Sequence, residues 1–274
     1  MSEMKARANQ AGNNAENSEW FDKAIRAGLI AYGVVHLLIA WLALQLAFGE
    51  SEGSASSKGA MQQLAEQPFG TVLLWLVAIG MLVLVLWKLL DAWKGHQEED
   101  DDKKMWAKRA FDVLKAVLYA VIAISAIRTA TGSGSSGGTD STTAKIMDLP
   151  AGQFLVGLVG LAIFAYGANQ VRIAYTEKFR EKIGAGGTSG QSGQAYVYFG
   201  KAGYTAKGLA IAIVGGLFIY AAVTHEAKKS GGLDQALQTV LEQPFGPFLL
   251  GIIAVGIGCY GLFCFARARY LTRD

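Results

Sequence analysis

Six apolar stretches of about 20 residues each, separated by polar segments, constrain this chain more than anything else in it. They run over 27–48, 71–93, 111–129, 152–175, 202–223 and 248–266. A helix of about 20 residues matches a hydrocarbon core of ~30 Å, so each stretch predicts one membrane crossing. Hydrophobic residues make up 52% and charged residues 17%, and the charges sit mostly outside the six stretches. The net charge of +3 is dispersed and gives no nucleic-acid footprint. Residues 1–20 are polar, without an early apolar run, so the first stretch reads as a retained anchor rather than a cleaved leader. The predicted class is an all-α polytopic membrane protein.

A second feature organises the crossings. Glu66-Gln67-Pro68-Phe69-Gly70 recurs as Glu242-Gln243-Pro244-Phe245-Gly246, and a weaker copy, Leu149-Pro150-Ala151-Gly152, lies between them. Each copy opens an even-numbered crossing. Proline tolerates the first turn of a helix, which places Pro68 and Pro244 there. Odd crossings open alike: Arg26-Ala27-Gly28 matches Lys201-Ala202-Gly203 at an offset of 175, with Arg109-Ala110-Phe111 in the same place midway. The chain is therefore read as three hairpin repeats, 24–94, 108–175 and 200–270. A tail (1–23), a charged connector (95–107), a basic Gly-rich connector (176–199) and a short end (271–274) complete it. Repeats that each cross twice share one orientation and are related by an axis along the membrane normal, giving a pseudo-threefold six-helix bundle. Met61, Leu64 and Ala65 in the first hairpin loop, and Leu233, Leu237, Val240 and Leu241 in the third, predict short interfacial helices. The stretch Gly132–Gly138 reads as a flexible loop.

The basic-Ala-Gly start, the Gln-Pro-Phe-Gly signal and the aromatic-rich second crossing ending in charge resemble the domain of unknown function 1206 family, actinobacterial membrane proteins with three such hairpins. The resemblance covers about residues 24 to 270. Repeat two departs from it, with Leu-Pro-Ala-Gly for the signal and Phe111 for the glycine. The resemblance implies architecture and supplies no activity or site. Orientation comes from charge. The tails and even connectors hold 16 of the 25 Lys and Arg residues, and the hairpin loops only Lys58, Lys145, Lys228 and Lys229. The positive-inside rule then places both termini in the cytoplasm, at the plasma membrane.

Intramembrane ionisable groups are the functional lead, because hydrocarbon makes them costly. Lys115 and Lys207 hold matched repeat positions, with Tyr32 as the third member, two turns into each odd crossing. Asp112 stands one turn from Lys115, and Lys88 and Asp91 share the same i, i+3 relation. Asn169, Gln170 and Arg172 hold the matching level in the fourth crossing. Two readings follow: lysines snorkelling to the interface, or an inward ring binding an anionic group. His36 lies deeper, as a buried imidazole bonded to a neighbour or as a proton or ligand contact. Gly256-Ile257-Gly258-Cys259-Tyr260-Gly261 fits a dinucleotide pattern but lies in a crossing with no strand before it, so packing is expected. Gly208, Ala212 and Gly216 form a small-residue ladder for close helix approach. Cys259 and Cys264 are five apart and are not expected to pair with each other. The acidic run Glu98–Asp102 reads as a solvated loop. No cofactor, metal or enzyme activity is expected. The expected function is a membrane module binding anionic phospholipid or a partner protein, homo-oligomerisation included. The alternative is a small-solute or ion transporter along the pseudo-threefold axis.

Overall fold

The computed structural model describes residues 19–49, 55–94, 102–133, 139–149 and 151–271, all helices and short connections. In chain order the helices are α1 (Glu19–Ala47), α2 (Ser57–Ala65), α3 (Gly70–Lys94), α4 (Asp102–Ala130), α5 (Thr139–Met147), α6 (Gly152–Tyr175), α7 (Gly184–Thr188), α8 (Gly190–Thr224), α9 (Leu233–Leu241) and α10 (Gly246–Arg269). A 3-10 turn, Lys178–Ile183, precedes α7, and another, Ala227–Lys229, precedes α9. Helices α1, α3, α4, α6, α8 and α10 are long and apolar enough to span a membrane. In lipid a helix satisfies its own backbone, so six helices are the form these six stretches can take.

The spans form a ring that is open between α4 and α6. The second span of each repeat packs on the first span of the next: α3 on α4, α6 on α8, and α10 back on α1. That last contact joins the two ends of the chain and makes the arrangement pseudo-threefold. The ends at Glu19 and Leu271 lie on one face, here the terminal face, and the short helices α2, α5 and α9 lie in the hairpin loops.

Contacts within the repeats are unequal. Helix α1 packs on α3 and α8 on α10, while α4 and α6 make no comparable contact. One matched position accounts for this. A Cβ on Gly28 would stand 2.6 Å from the Gly80 carbonyl oxygen and 2.8 Å from Leu84 Cγ, and one on Gly203 would stand 2.5 Å from Tyr260 Cα. Those glycines let backbones meet. Repeat two carries Phe111 there, and its ring stands 6.2 Å from that of Tyr166, the counterpart of Leu84 and Tyr260. A phenyl ring in place of a hydrogen props α4 and α6 apart.

The Pro signal is a turn and not a first helical turn, which corrects the sequence reading. Gly70, Gly152 and Gly246 each donate a 2.8 Å hydrogen bond to the carbonyl three residues earlier, on Gln67, Leu149 and Gln243. Phe69, Ala151 and Phe245, in the third position of these turns, have φ of 63°, 60° and 61°. A positive φ there and proline in the second position fit a type II turn, where the fixed φ of Pro68 and Pro244 is already suitable. The span then starts at the glycine, where a Cβ would collide with a carbonyl of the short helix before it, such as Leu64 O at 2.5 Å from Gly70. Phe69 and Phe245 are more than 80% exposed, at the depth where aromatic belts sit.

Other boundaries also move. Glu19–Lys23 is helical rather than tail, α4 starts at Asp102, and α8 starts at Gly190 inside the expected connector. The reason at α8 is packing: a Cβ on Gly200 would stand 2.5 Å from Phe179, and the Tyr196 ring lies tilted against that of Tyr270 at 6.0 Å. Helices α2 and α9 form as expected, burying Met61 and Leu64, and Leu237 and Val240. Ala65 is exposed. The middle hairpin loop carries a third short helix, α5, beyond the expected flexible loop. In the small-residue ladder Gly208 and Ala212 pack against Gly167, but Gly216 meets nothing within 4 Å and Gly215, beside Phe164, takes its place. Gly256, Gly258 and Gly261 face Ala206, Ala40 and Gly33, as packing positions do. Cys259 and Cys264 are both free thiols. Residues 1–18, the acidic run up to Asp101, residues 134–138 and Pro150 lie outside the described residues.

Candidate anion site at the terminal face

The wedge at Phe111 has a consequence at the terminal face, where a cavity of about 840 Å³ opens among α3, α4, α6, α8, α10 and the 3-10 turn Lys178–Ile183. Nine Lys and Arg residues line it against three carboxylates, so its walls carry an excess of positive charge. The rim is exposed, at Lys104, Lys108, Lys178 and Glu181, and the floor is buried, at Tyr204, Lys207, Tyr260 and Arg267.

The expected pairs form on the α3–α4 side. Asp112 is buried and accepts from Lys115 Nζ at 2.8 Å. Lys88 pairs with Asp91, and its Nζ lies 3.6 Å from Asp112, tying α3 to α4. Both lysines line the cavity, and the Lys115 side chain keeps 27% exposure. Snorkelling alone therefore does not describe them.

The other side is built differently. Lys207, 7% exposed, donates a 2.6 Å hydrogen bond to the Tyr32 hydroxyl and lies 3.9 Å from the Tyr260 ring centroid. Tyr32 stands behind the cavity wall and holds the lysine from there. Arg267, 9% exposed, lies 5.1 Å from the Trp87 ring, and its buried Nε has no hydrogen-bond partner. Among the described residues neither Lys207 nor Arg267 has a carboxylate within ion-pair distance. Lys182, on the 3-10 turn, donates to the Tyr204 hydroxyl at 2.8 Å. Fully buried Phe179 and Ile183 pin that turn beneath the bundle, with the Phe179 ring stacked 5.6 Å from Tyr204.

His36 does not reach the cavity. Its Nδ1 lies 2.8 Å from the Tyr32 carbonyl oxygen, which can only accept, so Nδ1 carries the proton. The ring packs edge-on against Tyr32 at 4.2 Å and near Tyr260 at 4.9 Å. This is a buried imidazole bonded to a neighbour, and it helps set the rings behind Lys207. Asn169, Gln170 and Arg172 all line the cavity.

Arg267, Trp87, Lys182 and the tyrosines at 119, 166, 204 and 260 are site residues that the sequence reading leaves out. Repeat alignment holds the signal for Arg267, which matches Asp91 at the same 176 offset as the Pro signals. Matching by like charge hides it.

Fold and site together define a multi-span membrane protein of three hairpin repeats with a basic cavity at one face. Comparison with known proteins agrees. The family described as Domain of Unknown Function (DUF1206) matches residues 27–95, 113–177 and 202–271, one match per hairpin. The chain belongs to that family. It is 28% identical over 256 residues to the "Uncharacterized protein YxxB" of Bacillus subtilis (strain 168), covering 93% of each chain. No solved structure matches it.

Proposed function

We propose that this protein is a non-enzymatic plasma-membrane module that holds an anionic group in the basic cavity, with that cavity and both termini facing the cytoplasm. The observation that carries the reading is the unbalanced burial of Lys207 and Arg267. Lys88 and Lys115 have carboxylates beside them, and among the described residues Lys207 and Arg267 do not. Burying an ion costs several kcal/mol even after relaxation. A desolvated cation–π contact returns about 2 kcal/mol. An anion on Lys207, Lys115 and Arg267 supplies the remaining compensation, and phosphate or carboxylate suits a guanidinium whose buried N–H is free to donate. The distribution of Lys and Arg supports the cytoplasmic side.

The second reading, transport of a small solute or ion, draws support from the inward placement of Lys115 and Lys207. Against it, the rings of Tyr32, His36, Tyr119 and Tyr260 are buried together behind Lys207. Past them the bundle is packed with Ile39, Ala43, Ile122 and Ala254.

The test is melting of the purified protein in a neutral detergent with rising inorganic phosphate or phosphatidic acid, against sodium chloride of equal ionic strength. Wild type should gain stability from one of the anions, and Lys207→Met with Arg267→Met should abolish the gain. Equal response of the two proteins would overturn the proposal. Flux of a labelled anion through proteoliposomes, abolished by the same variant, would favour transport.

A further inference from the structure

The place of the cavity in the ring says which kind of anion can occupy it. It lies at the one hairpin whose two spans do not pack on each other, and those two spans form two of its walls: Lys108, Phe111 and Lys115 on α4, Tyr166, Gln170 and Ile173 on α6. A soluble anion needs only the mouth at the terminal face. A gap between adjacent spans also opens sideways, into the bilayer, and an apolar wall then meets a polar floor. Phe111, Tyr166 and Ile173 are the apolar part, and Lys207 with Arg267 the polar part. Backbone contact at glycines closes the seam of α1 with α10, Gly33 on Gly261, and that of α6 with α8, Gly208 on Gly167, while α3 packs on α4. The opening between α4 and α6 is therefore local, and it coincides with the substitution of a glycine by Phe111.

From this juxtaposition the geometry points to an anionic phospholipid as the occupant. It enters sideways between α4 and α6, sets its phosphate on Lys207, Lys115 and Arg267, and leaves its acyl chains against Phe111 in the gap. The inference rests on the anion-binding reading above and adds the source of the anion. Confinement to the membrane plane raises the effective concentration of such a ligand at the gap, which a free phosphate lacks.

The test uses the full chain in nanodiscs. A photoreactive benzoyl-phenylalanine replaces Phe111 in one protein and the lipid-exposed Phe154, 76% exposed on α6, in a control. With phosphatidic acid or phosphatidylglycerol in a phosphatidylcholine host, the probe at 111 should form acyl-chain adducts with the anionic lipid. It should do so at least about tenfold above that lipid's share of the bilayer. Lys207→Met with Arg267→Met should remove the enrichment, while the probe at 154 follows bulk composition throughout. A parallel titration with glycerol phosphate and inorganic phosphate separates the sources. If these soluble anions bind wild type and the probe at 111 shows no enrichment for anionic lipid, the lipid assignment falls and the anion site stands. If neither lipid nor soluble anion binds wild type, both fall.

Discussion

Lys207 donates a hydrogen bond to the hydroxyl of Tyr32 across 175 positions of sequence, and the two residues hold the same place in repeats three and one. Their counterpart in repeat two, Lys115, turns instead to Asp112, one turn away on its own helix. A threefold position has thus been resolved into three roles. Tyr32 offers an acceptor, Lys115 is balanced locally, and Lys207 has no carboxylate beside it among the described residues.

The bond between Tyr32 and Lys207 should show as coupling. Tyr32→Phe leaves a buried ammonium without its acceptor and should cost roughly 1–3 kcal/mol. Lys207→Met removes the donor too, so Tyr32→Phe should cost far less in its background. A double-mutant cycle by denaturant unfolding in detergent measures this, and additivity within about 0.5 kcal/mol would count against the bond.

Asp112 serves two lysines on two helices. Asp112→Asn should destabilise the protein by about 3 kcal/mol, because Lys88 and Lys115 lose a buried carboxylate. Glu226→Gln breaks the exposed Lys229 pair at 2.9 Å, which solvent screens, and should cost far less. Thermal unfolding of both variants checks the contrast, and equal losses would contradict it.

The turn before each even span predicts that its glycine matters more than its proline. Gly70→Ala and Gly246→Ala push a methyl group into a carbonyl of the short helix and should each cost about 1–3 kcal/mol. Pro68→Ala should lose only about 0.4–1 kcal/mol, through greater freedom of the unfolded chain. Circular dichroism melts of the three variants rank them, and a reversed order would contradict the turn.

Topology can be checked from outside the cell. Cysteines introduced at Ser133 and Lys228, both exposed in hairpin loops, should react with an impermeant maleimide in intact cells. Those at Glu181 and Ser192, exposed on the terminal face, should react only after permeabilisation. The opposite pattern would reverse the orientation.

Much of the architecture is legible in the sequence because apolar length and exact repetition are strong signals. The short helices α2 and α9 also show, through leucines and a valine at helical spacing. Helix α5 does not, since Thr139–Met147 carries polar residues in most positions and its fold comes from packing on α6. Starts at Glu19, Asp102 and Gly190 lie outside the apolar stretches because a helix can continue into water, where loss of hydrophobicity marks the membrane edge and not the helix end. In the site, Lys115, Lys207 and their neighbours are legible as costly charges in hydrocarbon. Arg267 is not, because an arginine near a span end reads as an interfacial anchor. Its burial arises from Trp87 on another repeat and from a connector folded beneath the bundle, both tertiary facts.

The most direct measurement is native mass spectrometry of the protein purified in mild detergent, comparing wild type with Lys207→Met and Arg267→Met combined. Wild type should carry one tightly held anionic molecule that survives detergent exchange, and the folded double variant should carry none. Equal ligand content in the two proteins, or a bare wild type that gains nothing from added anionic lipid or phosphate, would contradict an anion balancing Lys207 and Arg267.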